Sequence, residues 1–274
     1  MEVQEIQDTH VLRAFLAQDP VGNAYLLGDL AEDYLPFCRW YGARDERGDL
    51  RALVLLYKGL RLPALLTVTD GDPASAHLLA HIFSYARARS LFPSPAWIHA
   101  WRHHLPPLEN SLLHAQPLEL MRRMSLRRAQ YQPRARRHKV RPLGHQDTAA
   151  IVRLYKHYPD NFFEPYQLES GLYFGIDAPD DGLAAIAGIH VLSQADDIAA
   201  IGNLVTRPDL RQQGHASDIT SRLLDALFER VSLVTLNVRD NNAAAIALYE
   251  KFGFVPHHTY YEGQVDVVLD PAQR

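Results

Sequence analysis

"VTRPDLRQQGHASDITSRLL", Val205 to Leu224, is the stretch on which the fold turns. A strand-like run ends at Val205 and Thr206, Pro208 breaks it, and a lone Gly214 stands where a helical pattern begins. Ile219, Leu223, Ala226 and Leu227 recur on one face of that helix. The first turn of a helix leaves backbone N–H groups unpaired and pointing along the axis. The helix dipole adds partial positive charge there, so an anion such as phosphate is welcome. Glycine permits positive φ and a close approach of the backbone. Ala216 and Ser217 are small, and Arg211 adds charge. Many glycine-led turns bind nothing, so the phosphate reading requires a second signal elsewhere.

The chain has 274 residues, 47% of them hydrophobic, which suffices for one or two domains. Net charge is −4 and no long basic stripe stands out, so nucleic acid is not expected as a partner. The densest basic run, "RRAQYQPRARRHK" from Arg127 to Lys139, contains Pro133 and reads as a linker or exposed strand edge. Cys38 is the only cysteine, which excludes a disulfide within the chain and fits a reducing compartment. In "YLPFCRWYG" it reads as a packed core residue rather than a catalytic thiol. The N-terminus lacks a signal-peptide pattern and no apolar run approaches a membrane span, so a cytoplasmic protein is expected. The 14 histidines show no HxxxH or HxxEH pattern, and the pairs at 103–104 and 257–258 lack neighbouring carboxylates or thiols in sequence. No metal site is expected.

The two halves rhyme. "IQDTHVLRAFL" resembles "HQDTAAIVRLY", "YGARDERGDLRALVLLY" resembles "FGIDAPDDGLAAIAGIHV", and "LTVTDGDP" resembles "LVTRPDL", in the same order. Two copies of one unit follow, with domains at 1–126 and 138–274 and a linker at 127–137. In the second copy "KVRPL" reads as a strand and Gln146 to Tyr158 as a helix, with Asp147 placed to cap it. Three strands come next, then the helix after Gly214, the strand "LVTLNV", a helix closed by Gly253, and a last strand or hairpin. This order predicts an α/β fold of the α+β type: in each unit a mixed, mostly antiparallel sheet flanked by helices.

The second signal is "LNVRDNNAAAIALYEKFGF", Leu236 to Phe254. Together with the first stretch it resembles the GNAT superfamily of acyl-CoA-dependent N-acyltransferases. That family's signature, Arg/Gln-x-x-Gly-x-Gly/Ala, is filled by Arg211, Gly214 and Ala216. A second signature is filled by Asn242, Ala245, Leu248, Tyr249, Gly253 and Phe254. The resemblance covers roughly residues 136–270 and extends to the tandem form, in which a degenerate N-terminal copy precedes the active one.

The resemblance implies acetyl-CoA as cosubstrate and direct transfer of its acetyl group to a primary amine, on a small molecule or a peptide. Amides of Gln212, Gln213, Gly214, His215, Ala216 and Ser217 would hold the pyrophosphate. Backbone at Leu204, Val205 and Thr206 would pair with the pantetheine arm, in a splay between the fourth and fifth strands. Asn242 caps the next helix and can reach the arm, and Ala245 leaves room for it. N–H groups near Val205 would stabilise the oxyanion. Tyr249 would donate its proton to the departing sulfur, the alternative being a core tyrosine.

A general base is not evident. "IAAIGNLVT" holds no glutamate, and Asn203 cannot take up a proton usefully. His190 is one candidate and a structural histidine is its alternative. Glu164, with Glu169 beside it, precedes the substrate-side strand and could act through water or be a solvated loop. After "LTVTDGDP" the first copy lacks the glycine signature, and Asp70 and Asp72 would repel pyrophosphate, so CoA is expected in the second copy only. Two readings result: an N-acetyltransferase, or a non-catalytic CoA-binding or sensing protein on the same fold.

Overall fold

A computed structural model describes residues 2–158 and 163–268. The chain divides into two units. The first contains β1 (Glu2–Glu5), α1 (Thr9–Leu16), α2 (Ala24–Gly28), β2 (Cys38–Arg44), β3 (Leu50–Tyr57), β4 (Ala64–Thr69), α3 (Ala76–Arg87), β5 (Ala96–Trp101) and β6 (Leu112–His114). The strand β7 (Glu119–Arg127) follows and contributes Met124–Arg127 to the second unit. That unit continues through β8 (Arg141–Pro142), α4 (Thr148–Tyr155), β9 (Phe174–Asp177), β10 (Leu183–Ser193), β11 (Ile198–Thr206), α5 (His215–Phe228), β12 (Leu233–Arg239) and α6 (Ala243–Glu250). The last strand, β13 (Val255–Val267), belongs to the first unit from His257 onward.

The first unit orders its strands β1-β2-β3-β4-β5-β13, all neighbours antiparallel except β4 and β5. Period-two alternation makes it a three-layer structure. Leu53 and Leu55 of β3 pack with Leu12, Phe15 and Leu16 of α1, while Val54 and Leu56 pack with Leu79, Ile82 and Phe83 of α3. Burying each such leucine contributes about 1.5–3 kcal/mol. Cys38 is buried as expected, its thiol directed at the Asp29 and Tyr34 carbonyls at 3.4 Å each. Burial pushes the thiol pKa up, which removes thiolate chemistry.

The second unit repeats this plan. Its order is β8-β9-β10-β11-β12, with only β11 and β12 parallel and α5 as the crossover between them. Ala185, Ala187 and Ile189 of β10 face the α5 side, and Ile186 faces α4. In β11 the alternation breaks. Ala199 and Ile201 pack with the α5 layer, yet Val205, of the same parity, packs with Ile151 and Leu154 of α4. Asn203 takes φ +53°, and the β10–β11 register shifts between Gly188↔Gly202 and Ile186↔Val205. This bulge inserts an extra residue and reverses the strand's faces beyond it.

Three sequence expectations change. Residues 255–267 fall in the expected second domain, but Tyr260–Val265 pairs with β5, so the strand completes the first sheet. The expected linker 127–137 is packed structure of the second unit: the Tyr131 ring lies 5.0 Å from Phe228, and its hydroxyl donates to Asp225 at 2.8 Å. Asp147 does not cap α4, because its carboxylate accepts from Gly144 N–H and Arg141, each at 2.9 Å. The 257–258 histidine pair also gains a carboxylate that sequence distance hides. Asp19 Oδ2 lies 2.9 Å from His257 Nε2.

Candidate functional site

The turn ahead of α5 is built on two positive φ values, +62° at Gln212 and +93° at Gly214. The second is the conformation that glycine tolerates without strain. The first backbone bond of the helix runs from Asp218 N–H to the Gly214 carbonyl at 3.0 Å. The amides just before it therefore precede the helical ladder and are left for an external acceptor. They open on a cleft of ≈ 650 Å³ whose lining includes Arg134, Arg137, Gln212, Gln213, Gly214 and Ser217.

The far wall of this cleft is the segment Pro133–Arg137, which the sequence reading assigned to a linker. Asp218 fastens it. Its carboxylate accepts from His138 N–H at 2.8 Å, Arg137 N–H at 2.9 Å and His138 Nδ1 at 2.7 Å. Burial alone would raise the Asp218 pKa, but these bonds outweigh it and hold the group below the ordinary carboxylate range. The Ser221 hydroxyl donates to the Arg134 carbonyl at 3.0 Å, and Arg136 pairs with Asp225. The wall is thus anchored along one face of α5.

The expected phosphate residues separate into two groups. Gln212, Gln213, Gly214 and Ser217 line the cleft, whereas Arg211, His215 and Ala216 do not. Arg211 donates instead to the Tyr158 hydroxyl at 2.7 Å, and that hydroxyl donates to the Thr206 carbonyl. His215 is buried, its Nδ1 directed at the Leu210 carbonyl at 3.0 Å and its ring 4.1 Å from that of His138. Arg134 and Arg137 supply the side-chain charge that the sequence reading gave to Arg211.

Ahead of this turn in the chain, β11 and β12 part. Their pairing runs from Ile198↔Leu233 to Ile201↔Leu236, although β11 continues to Thr206 and β12 to Arg239. The splay opens where the bulge lies. Asn203 Nδ2 donates to the Tyr173 hydroxyl at 2.8 Å, and Tyr155 donates to the Asn203 carbonyl at 3.0 Å. Tyr173 is fully buried, its hydroxyl 3.0 Å from Gln167 Oε1 and 3.2 Å from the Ile189 carbonyl. This network fixes the backbone of Leu204 and Val205, and the sequence reading missed it. Thr206 Oγ1 is buried without a hydrogen-bond partner among the described residues.

On the neighbouring helix, Asn242 Oδ1 accepts from Ala245 N–H at 3.2 Å, so Asn242 caps α6 as expected. Tyr249 follows Ala245 by one turn. It is 7% exposed, and Phe254 meets its ring edge-on at 5.8 Å. Burial raises its pKa to about 12, so it stays a protonated donor at neutral pH. Gly253 closes the helix at φ +98°.

The candidate bases fare differently. His190 lies over Gly202, where a Cβ would stand 1.9 Å from its Nε2. Burial lowers the His190 pKa to about 4, which makes it a neutral but weak base. Glu164 is exposed, and its N–H donates to Gln167 Oε1 at 3.1 Å at the start of a short 3-10 turn. Glu169 is exposed, 3.9 Å from His145. No described contact joins either glutamate to β11 or to Tyr249.

Residues 143–254 match the acetyltransferase (GNAT) family. Over 80 residues the chain is 38% identical to the [ribosomal protein bS18]-alanine N-acetyltransferase of Escherichia coli K12, covering 27% of this chain and 54% of that one. Over 97 residues it is 41% identical to the enzyme of the same name from Salmonella typhimurium, covering 33% and 64%. The chain thus spans between half and two thirds of these relatives. In fold it is similar to a GCN5-related N-acetyltransferase from Sphaerobacter thermophilus, with TM-score 0.68, 13% identity, and coverage of 98% of this chain and 96% of that one. It is also similar to a tandem GNAT protein from the clavulanic acid biosynthesis pathway, with TM-score 0.58, 13% identity, and coverage of 96% and 98%.

Proposed function

Residues 143–254 belong to the acetyltransferase (GNAT) family, and on that premise we propose that the protein transfers an acetyl group from acetyl-CoA to a primary amine by direct attack. The observation that carries the reading is the succession of two features along the chain: a splay between β11 and β12, and a cleft at the start of α5, the helix that follows β11. Amides of Gln212, Gln213, Gly214 and Ser217, with the side chains of Arg134 and Arg137, bind the pyrophosphate. The splay receives the pantetheine arm, and Thr206 Oγ1 offers it a buried hydrogen-bonding group.

The bulge network then holds N–H groups near Val205 toward the thioester carbonyl oxygen. The amine nitrogen attacks the carbonyl carbon, the C–S bond breaks, and Tyr249 donates its proton to the departing sulfur. The proton lost by the amine passes to water, since His190 is too weakly basic to hold it at neutral pH. The two sequence relatives are alanine N-acetyltransferases, which favours an amine acceptor, and a protein or peptide N-terminus is one such amine.

A second reading, CoA binding without turnover, is favoured by one observation: Asn203 stands on β11 and no carboxylate does. Calorimetry and acetyl-transfer assays with a panel of amines separate the two. Gly214→Glu places a carboxylate in the cleft and forces a strained φ. It is expected to abolish measurable CoA binding while the wild type binds. CoA affinity that survives this substitution overturns both readings, and binding without transfer to any amine favours the second.

A further inference from the structure

The first unit gathers groups that the sequence keeps far apart. Asp19 follows α1, and His257 and His258 stand near the start of β13. One donor atom from each lies within 4.8 Å of the others. Asp19 is already oriented, because Gly22 N–H donates to its Oδ1 at 2.9 Å and leaves Oδ2 toward the histidines. Gly22 also makes the space: a Cβ there would lie 2.3 Å from Asp19 Oδ2 and 2.8 Å from the Trp101 ring.

The histidines are held as well. The Trp101 ring stacks on His258 at 4.2 Å and 29°. His258 Nδ1 is buried and has no hydrogen-bond partner among the described residues, a costly condition for a polar atom. Adjacent residues of a regular strand point to opposite faces. Here the pairing of β13 with β5 begins only at Tyr260↔Trp101, and the His257 and His258 rings lie 5.1 Å apart.

We propose that Asp19, His257 and His258 form a binding site for a divalent transition-metal ion of the zinc type. Two imidazoles and one carboxylate are donors of intermediate softness, suited to Zn²⁺ rather than to Ca²⁺ or Mg²⁺, which prefer oxygen. Bonds of about 2.0–2.2 Å place tetrahedral donors closer together than the present limit of 4.8 Å. The site therefore tightens by side-chain rotation, and the Asp19–His257 contact gives way to two bonds to the ion. His257 is exposed, which supplies an entry path and leaves a coordination position to water. Arg123 opposes the ion's charge, but its guanidinium is directed at the Val21 and Gly22 carbonyls at 3.1 and 3.0 Å. Asp19 offsets the cation.

The test uses untagged full-length protein, stripped with a chelator and titrated with Zn²⁺ by calorimetry and with Co²⁺ by visible absorption. The expected result is one saturable equivalent, Co²⁺ bands of a low-coordinate nitrogen–oxygen site, and a higher Tm with Zn²⁺. Asp19→Asn, His257→Gln and His258→Gln should each weaken Zn²⁺ at least about tenfold. Circular dichroism of the metal-free variants identifies those that fold, and exposed His257 provides the variant least dependent on packing. Absence of saturable binding by the wild type, or equal Zn²⁺ affinity in the wild type and every folded variant, overturns the site.

Discussion

Tyr249 makes no hydrogen bond to any described residue, although its ring is almost wholly enclosed. Tyr249→Phe therefore removes a proton donor without breaking a protein contact. Acetyl transfer is expected to fall about 10²-fold or more, with CoA affinity and Tm nearly unchanged. Steady-state rates beside thermal melting check this, and an unchanged kcat would make the residue core only. His190 has the opposite character, since it fills the space over Gly202. Gly202→Ala should cost about 1–3 kcal/mol of stability through overpacking. Combining it with His190→Ala should restore most of that loss, a coupling that a double-mutant cycle measures. The Asn242 cap and the Gly214 turn were legible in the sequence because each lies within one helix start. The bulge at Asn203 was not, since its partners Tyr155 and Tyr173 arrive from other elements. The Arg211 contact was not legible for a related reason: Tyr158 lies nearby only in three dimensions.

At the scale of elements, the wall Pro133–Arg137 depends on α5 through Asp218. The sequence shows a basic run with a proline and no periodicity, which reads as linker. Its structure comes from a carboxylate some eighty positions further on. Asp218→Asn keeps the shape and removes the charge from three hydrogen bonds. It is expected to lower stability by about 1–3 kcal/mol and to weaken CoA, because Arg134 and Arg137 lose their support. The sign with pH follows from the depressed pKa. The Asp218 contribution is fully present above the unfolded value of about 4 and is lost as pH falls through the lower folded value. Melting curves of wild type and Asp218→Asn should therefore converge toward the acid end of that window. A constant gap in Tm across it would show that the carboxylate is not the fastening.

At the scale of the whole molecule, the repeat was legible because both units keep the same sequence landmarks and the same strand order. The boundary was not, because hydrogen-bond partners of a strand leave no mark on local composition. Tyr260–Val265 pairs with Trp101–Ala96, and Val265 and Val267 lie in the same core as Ile98 and Phe83. A chain ending at Pro256 keeps both helix signatures yet strips that edge from the first sheet. It is expected to be recovered mainly as aggregate, as size-exclusion chromatography would report, because a bare edge strand is an aggregation template. Recovery of a monomer with the wild-type Tm would show that the strand is dispensable.

The same pairing sets a timetable for synthesis. A ribosome delivers the chain from its N-terminus at about 5–20 residues per second. The strand that completes the first sheet emerges after the second unit, so the edge of β5 that it pairs with stays open while that unit is made. The first unit is begun before the second and completed after it. Over that interval its open edge is within reach of chaperones and of identical nascent chains on the same messenger.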